Sequence, residues 1–253
     1  MNATYLGLEL KRFFRDVTSV FFIAVLPSLL YVIFGAAQSY STEPAGNGNV
    51  SMYVLLSMAA YGAVTATVSI GGSAAVERMQ GWGRQLGLTP LGDASFVATK
   101  AMVGLIVALI PVGLIYVIGA ATGARGTLTV WLLGAVILLV GAGIFSIYGL
   151  IFGLVFRTES AVGAASGSLV ILAFLGNLFF PLSGLLLTIA KFTPLYGYVS
   201  LARRALTDGY LVTADGTQMI FEPLWQPVTN VVVWTALFVV AALAAVRFGR
   251  RRQ

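Results

Sequence analysis

Five long stretches of this chain run for the thickness of a bilayer without a central charge: Val17–Ala37, Val50–Val76, Phe96–Ala121, Leu128–Phe156 and Val228–Val246. A sixth, Ala161–Phe180, is of comparable length. About 20 consecutive apolar residues are what an α-helix needs to cross a hydrocarbon core of about 30 Å. In that medium every backbone N–H and C=O must be satisfied within the segment or a closed barrel. Barrel strands would alternate apolar and polar over about ten residues, and no such alternation is present. Only 9% of the residues are charged, and mean hydropathy is +0.93. A soluble domain, with roughly 25% charged residues, could not hide that much apolar surface. The expected class is therefore an all-α integral membrane protein with six transmembrane helices, forming one transmembrane domain over residues 1–253.

The charges lie between the spans. With the N-terminus inside, the cytoplasmic segments hold Lys11, Arg12, Arg15, Arg78, Arg84, Lys100, Arg157, Arg247, Arg250, Arg251 and Arg252. The outer segments keep Arg125, Lys191, Arg203 and Arg204, a split of eleven to four among the 15 basic residues. That asymmetry is what the positive-inside rule demands, and it places both termini in the cytoplasm. The net charge of +6 is thereby a statement about topology, and it gives no reason to expect a nucleic-acid partner. A seventh span through Leu182–Ala202 would bury Lys191 and carry the arginine-rich tail outside, so Pro181–Pro227 is read as short re-entrant and interfacial pieces on the outer side.

Residues 1–16 carry Leu6, Leu10, Phe13 and Phe14 on one helical face and Glu9, Arg12 and Asp16 on another, with Arg15 beside them. This pattern predicts a helix lying in the membrane interface. The alternative, a cleaved signal peptide, fits less well because the apolar run after it is longer than the 7–15 residues of such a segment. Pro27 sits inside that run and predicts a kink.

Cysteine and histidine are both absent, removing thiol nucleophiles, thiolate metal sites and the commonest general base. No Asp, Glu, Lys or Arg lies near the middle of a span, which argues against a proton relay. No phosphate-binding Gly-x-x-x-x-Gly-Lys-Ser/Thr occurs either. Any energy source from nucleotide hydrolysis must then sit on another chain, and this one is expected to bind no cofactor of its own.

The long polar island Glu77–Leu91, ERMQGWGRQLGLTPL, separates the second and third spans. Met79, Trp82 and Leu86 fall on one helical face, with Glu77, Arg78, Arg84 and Gln85 around it. Gly81, Gly83 and Gly87 would each weaken an isolated helix by roughly 1 kcal/mol relative to Ala, while permitting close approach by another backbone. Pro90 disfavours helix at Thr89 and stops the element. Read without further context, it is either a helix made to be held by a partner or a plain basic loop. In the fifth span, Gly163 and Gly167 form a small-residue pair suited to a subunit interface or to internal packing. Gly149 and Gly153 repeat the pattern in the fourth. Phe179 and Phe180 sit beside the re-entrant region, either as interfacial aromatics or as lining for a substrate path.

Taken together, VERMQGWGRQLGLTPL (Val76–Leu91), FFPLSG (Phe179–Gly184), IAKFTPLY (Ile189–Tyr196) and ARRALTDG (Ala202–Gly209) resemble the membrane subunit of a type-2 ATP-binding-cassette exporter of the bacterial drug- and antibiotic-efflux kind. Members commonly carry Thr after the central Gly and an acid two residues later, where this chain has Trp82 and Arg84. The resemblance implies two permease chains, a homodimer in the simplest case, with two cytoplasmic ATPase subunits that hold ATP and magnesium. Glu77–Leu88 would be the coupling helix seated on the ATPase, with residues 2–15 as the interfacial helix beside it. The first, second and fifth spans would face the dimer axis and line the export path. The cargo implied is hydrophobic or amphipathic, and the site the bacterial cytoplasmic membrane. A polysaccharide or glycolipid exporter shares the architecture, and an ATPase-independent secondary carrier is the reading from a different class.

Overall fold

The computed structural model describes residues 3–77, 93–156, 158, 160–214 and 219–250. Helix α1 (Ala3–Arg15) is followed at Asp16 by the first span, α2 (Val17–Ala36). A short hairpin of β1 (Pro44–Ala45) and β2 (Gly48–Asn49) leads into α3 (Val50–Glu77). Two further long helices follow, α4 (Asp93–Thr122) and α5 (Leu128–Phe156), then the shorter α6 (Ser160–Leu175). A bent pair, α7 (Gly184–Ala190) and α8 (Pro194–Thr207), precedes a hairpin of β3 (Tyr210–Val212) and β4 (Met219–Phe221), and α9 (Trp225–Arg250) ends the described chain. The protein is an all-α integral membrane protein, with five helices among the described residues long and apolar enough to cross a bilayer, or six if the bent pair is one broken span.

The bundle is built around α3, of whose membrane window 78% is buried, whereas α9 has only 11% buried and lies at the periphery. The reason is side-chain size. Lipid is as apolar as leucine, so helices in a bilayer associate by close packing and hydrogen bonds, which small residues permit. A Cβ on Gly71 would lie 2.0 Å from the Ser146 carbonyl oxygen of α5, and one on Gly149 would lie 2.1 Å from that of Val68. Gly153 meets Gly72 in the same way. Beside these contacts the Thr67 hydroxyl donates to the Ala142 carbonyl at 2.7 Å, a hydrogen bond across the two helices.

Pro27 removes one donor from α2, and the backbone answers with two π-helical stretches, Phe21–Val25 and Val32–Ala36, on either side of it. The expected fifth span is corrected: α6 is not among the helices long enough to cross a bilayer. In place of Ala161–Phe180 the helix stops at Leu175, about 24 Å long at 1.5 Å per residue. Asn177 adopts a left-handed conformation with φ 58° and turns the chain. The following α7 and α8 are bent by 96° relative to one another, so no straight span runs through Lys191.

The two ends of the bundle differ. At one, Asn47 donates from its side chain to Asp208 and to the Ala205 carbonyl, and Asn49 both accepts from the Arg125 N–H and donates to the Gly123 carbonyl. These bonds gather the loops that the charge distribution assigns to the outside. At the other end α1 lies against the termini of α3 and α4.

The Gly163 and Gly167 pair behaves differently from its sequence twin. A Cβ on either would meet nothing within 4 Å, so this face of α6 is not used for packing inside the chain. Gly149→Ala is therefore expected to destabilise the protein by about 1–3 kcal/mol through overpacking, read as a lower melting temperature of the detergent-solubilised chain. Gly163→Ala should leave the melting temperature of the single subunit unchanged.

Candidate functional site

At the end of α3, Glu77 accepts from Arg12 Nη1 at 2.6 Å and from Lys100 Nζ at 2.6 Å. Lys100, in α4, also donates to Glu9 at 2.8 Å. The Glu77 and Lys100 side chains are nearly enclosed, and Arg12 is 65% exposed. Two carboxylates and two cations thus join three helices. The sequence suggested Glu77 as a polar contact for a partner, but both of its oxygens are engaged within the chain. Desolvating such charges is costly, and the geometry repays it only while every member is paired. Arg78, Gly81, Trp82, Arg84, Gln85 and Leu86 lie outside the described residues. What is described brackets them: Glu77 immediately before and Lys100 shortly after are both tied to α1.

Helix α1 uses its faces otherwise than expected. Phe13 is buried and Leu6 and Leu10 pack against the core, while Phe14 and Leu8 stay exposed. The predicted apolar face is split, because the bundle itself takes most of it and lipid is left the flanks. Glu9 and Arg12, placed on the polar face, point to the ion-pair network, and Arg15 remains exposed. Asp16 then caps α2 by accepting from the Ser19 hydroxyl at 2.5 Å and its backbone N–H at 3.1 Å. These bonds, the side-chain one foremost, hold the Asp16 carboxyl below its ordinary value. A depressed carboxylate contributes stability above its unfolded value and loses it as pH falls through the folded one, so this cap weakens only in acid.

At the opposite end, Phe179 is fixed edge-on between Tyr61 of α3, at 5.2 Å, and Phe174 of α6, at 4.9 Å. Phe180 reaches Phe34 of α2 at 6.0 Å. Phe34, Phe174 and Phe180 are exposed, so α2, α6 and the turn after α6 share an open aromatic surface. Helix α3, the second of the spans expected to line an export path, contributes nothing to this open surface of the single chain. No described residue of α3 is exposed, since its small side chains draw neighbours in on every side.

A further charged residue was read from the sequence only as one of the outer cations. Arg203, in α8, is buried and stacks 4.0 Å above the Tyr53 ring. Its Nε donates to Ser57 Oγ at 3.1 Å, its Nη1 to the Asn177 carbonyl at 2.8 Å and its Nη2 to the Leu178 carbonyl at 2.8 Å. The left-handed turn after α6 thereby supplies its carbonyls to the guanidinium. Nearby, Glu222 is buried and accepts from the Tyr196 hydroxyl at 2.5 Å and from Ser200. The signal available was the apolar spacing of Leu195, Val199, Ala202 and Leu206: of two adjacent arginines, one must fall beside that stripe.

The fold and these two clusters define a polytopic helical membrane protein whose one end is tied by ion pairs and whose other end holds a bent helix pair. No protein-family model matches the chain. It is 22% identical, over 250 residues covering 97% of this chain and 95% of the relative, to "Putative transport permease YvfS" of Bacillus subtilis (strain 168).

Lys100→Met leaves Glu9 and Glu77 enclosed without their shared cation, and should cost about 3–5 kcal/mol. Arg12→Ala removes an exposed arm of the network and should cost at most about 1 kcal/mol. Melting temperatures of the two variants in detergent check that order.

Proposed function

We propose that this chain is the membrane subunit of an ATP-driven exporter, which moves a hydrophobic or amphipathic compound out across the bacterial cytoplasmic membrane. The observation that carries the reading is the similarity to a transport permease along nearly the whole of both chains. The likeness of Val76–Leu91 to a coupling helix supports its ATP-driven form. Hydrolysis then belongs to separate cytoplasmic ATPase subunits, two per complex, which bind ATP and magnesium.

On this reading the ATPase grips residues 78–91 through Trp82 and its neighbours. Force on that segment passes to Glu77 and Lys100, whose pairing with Glu9 and Arg12 makes α1, α3 and α4 move together. Because α3 is packed on all sides, it carries displacement to its other end, where Ser57 and Tyr53 hold Arg203 of the re-entrant pair. The cargo path follows the open surface of α2 and α6, past Phe179 and Phe180. The exposed small-residue face at Gly163 and Gly167 is where a second copy of the chain meets the first. Trp82 and Arg84, which replace the residues commonly found in such helices, help select one ATPase partner.

Purified alone, the chain should hydrolyse no ATP. Reconstituted with its ATPase, it should export a fluorescent amphipathic dye, and Trp82→Ala or Gly81→Pro should abolish export while the ATPase subunits keep hydrolysing. Export at the wild-type rate in both variants sinks the coupling assignment, and transport by the lone chain down an ion gradient overturns the ATP-driven reading.

A further inference from the structure

The hairpin of β3 and β4 is apolar on both faces. Its register pairs Tyr210 with Phe221, Leu211 with Ile220 and Val212 with Met219. Successive side chains in a strand point to opposite faces, so Leu211 and Ile220 share one face and the other two pairs share the opposite one. Leu211 packs against the small cluster of Leu187, Ala190 and Tyr196, which joins its face to the re-entrant pair. The opposite face is the more open: Met219 is 72% exposed, Phe221 and Tyr210 are exposed beside it and only Val212 is half-buried, while on the first face Ile220 is exposed at its margin. A hairpin with one face on the protein and the other in water normally reads apolar and polar in alternation. Here the outward face is apolar as well.

What covers it follows from where the chain goes next. Only Glu222 and Pro223 separate β4 from Leu224 and Trp225, both exposed, and Trp225 opens α9. Helix α9 is the peripheral span, and its exposed Val228 and Val232 face lipid directly below. The apolar surface is therefore continuous from the lipid-facing side of a span, through a tryptophan at its entry, onto the hairpin. The residue types are those of the bilayer's interfacial zone, where Trp and Tyr concentrate. The hairpin also carries a cation on this side. Tyr210 and Phe221 meet edge to face at 5.4 Å, and the Arg204 guanidinium lies 5.9 Å from the Phe221 ring, anchored by a bond to the Glu222 carbonyl. An arginine among aromatics at that level suits lipid phosphate.

We propose that the outward face of the β3–β4 hairpin lies in the interfacial zone of the leaflet into which the outer end of α9 opens, with Met219 and Phe221 among the lipid chains and Arg204 at the phosphates. The bilayer thus holds the hairpin, and through Leu211 the re-entrant pair, from outside the bundle. This inference depends on membrane residence and not on the transport reading.

Because the chain has no cysteine, single-cysteine variants label at one position only. The full chain carrying Met219→Cys, labelled with the environment-sensitive fluorophore NBD, would be placed in nanodiscs of phosphatidylcholine and phosphatidylglycerol. Val232→Cys, in the span, and Thr42→Cys, in the outer loop, serve as lipid and water references. The expected result is blue-shifted emission from position 219, strongly quenched by lipids carrying a nitroxide near the headgroup and resistant to aqueous iodide, with Leu224→Cys behaving alike. Quenching by iodide as at position 42 would put the hairpin in water. Protection from both quenchers would put it against another protein surface, a second copy of the chain included. Either result overturns the proposal.

Discussion

Everything in this bundle hangs on the backbone-to-backbone approach of α3 and α5. Within a bilayer an apolar side chain gains little by leaving lipid for protein, so a helix is drawn to the centre by how closely others can come to it. Gly71, Gly72, Gly149 and Gly153 set that distance, and a methyl group at Gly71 or Gly149 would overlap a carbonyl oxygen of the facing helix. The same closeness lets Thr67 reach Ala142 across the interface. Helix α3 becomes the core of the protein because it is rich in small residues, although it is not its most hydrophobic span.

A rod fixed in this way has its consequences at its tips. One tip ends in Glu77 and the ion pairs to α1 and α4. Near the other, Ser57 and Tyr53 hold a guanidinium that arrives from α8. Both tips thus use charge to join elements distant in sequence. The spans between carry no such groups, which keeps the desolvation cost out of the hydrocarbon interior.

Much of this was legible in the sequence. Four of the long spans, α2, α3, α4 and α5, appear within a few residues of where hydropathy puts them, because length and the cost of unsatisfied backbone groups leave few choices. Helix α9 begins at Trp225, a few residues before the predicted Val228, since the interface tolerates a helix that starts among aromatics and a proline in its first turn. The end of α6 was missed although Gly176-Asn177 is a helix-stop signal, because the apolar residues on both sides of it were read as one run, and Asn177 takes the left-handed conformation that turns the chain. Nor could sequence rank Gly163 and Gly167 against Gly149 and Gly153. The spacing is the same, and only the neighbours decide which pair is in contact. Arg203 was hidden for a related reason: its compensation comes from two main-chain carbonyls, Ser57 and a tyrosine ring, none of which announces itself as a partner for a cation.

That mode of compensation constrains how the protein can move. A buried guanidinium held by a carboxylate can follow a single side chain, whereas Arg203 is held by the backbone of the turn after α6 and by α3 at once. Drawing α8 away from either would strand a charge in a poorly solvated place, at a cost that small rearrangements cannot offset. Helix α3, the α6–α7 turn and α8 must then shift as one body. Freedom remains for elements joined to that body more lightly: α2, whose π-helical stretches on either side of Pro27 loosen the regular ladder, and α9, which touches the bundle along a narrow strip. On the proposed cargo path, an opening between α2 and the turn after α6 needs only the first of these to yield, and it would begin at the Phe34–Phe180 contact.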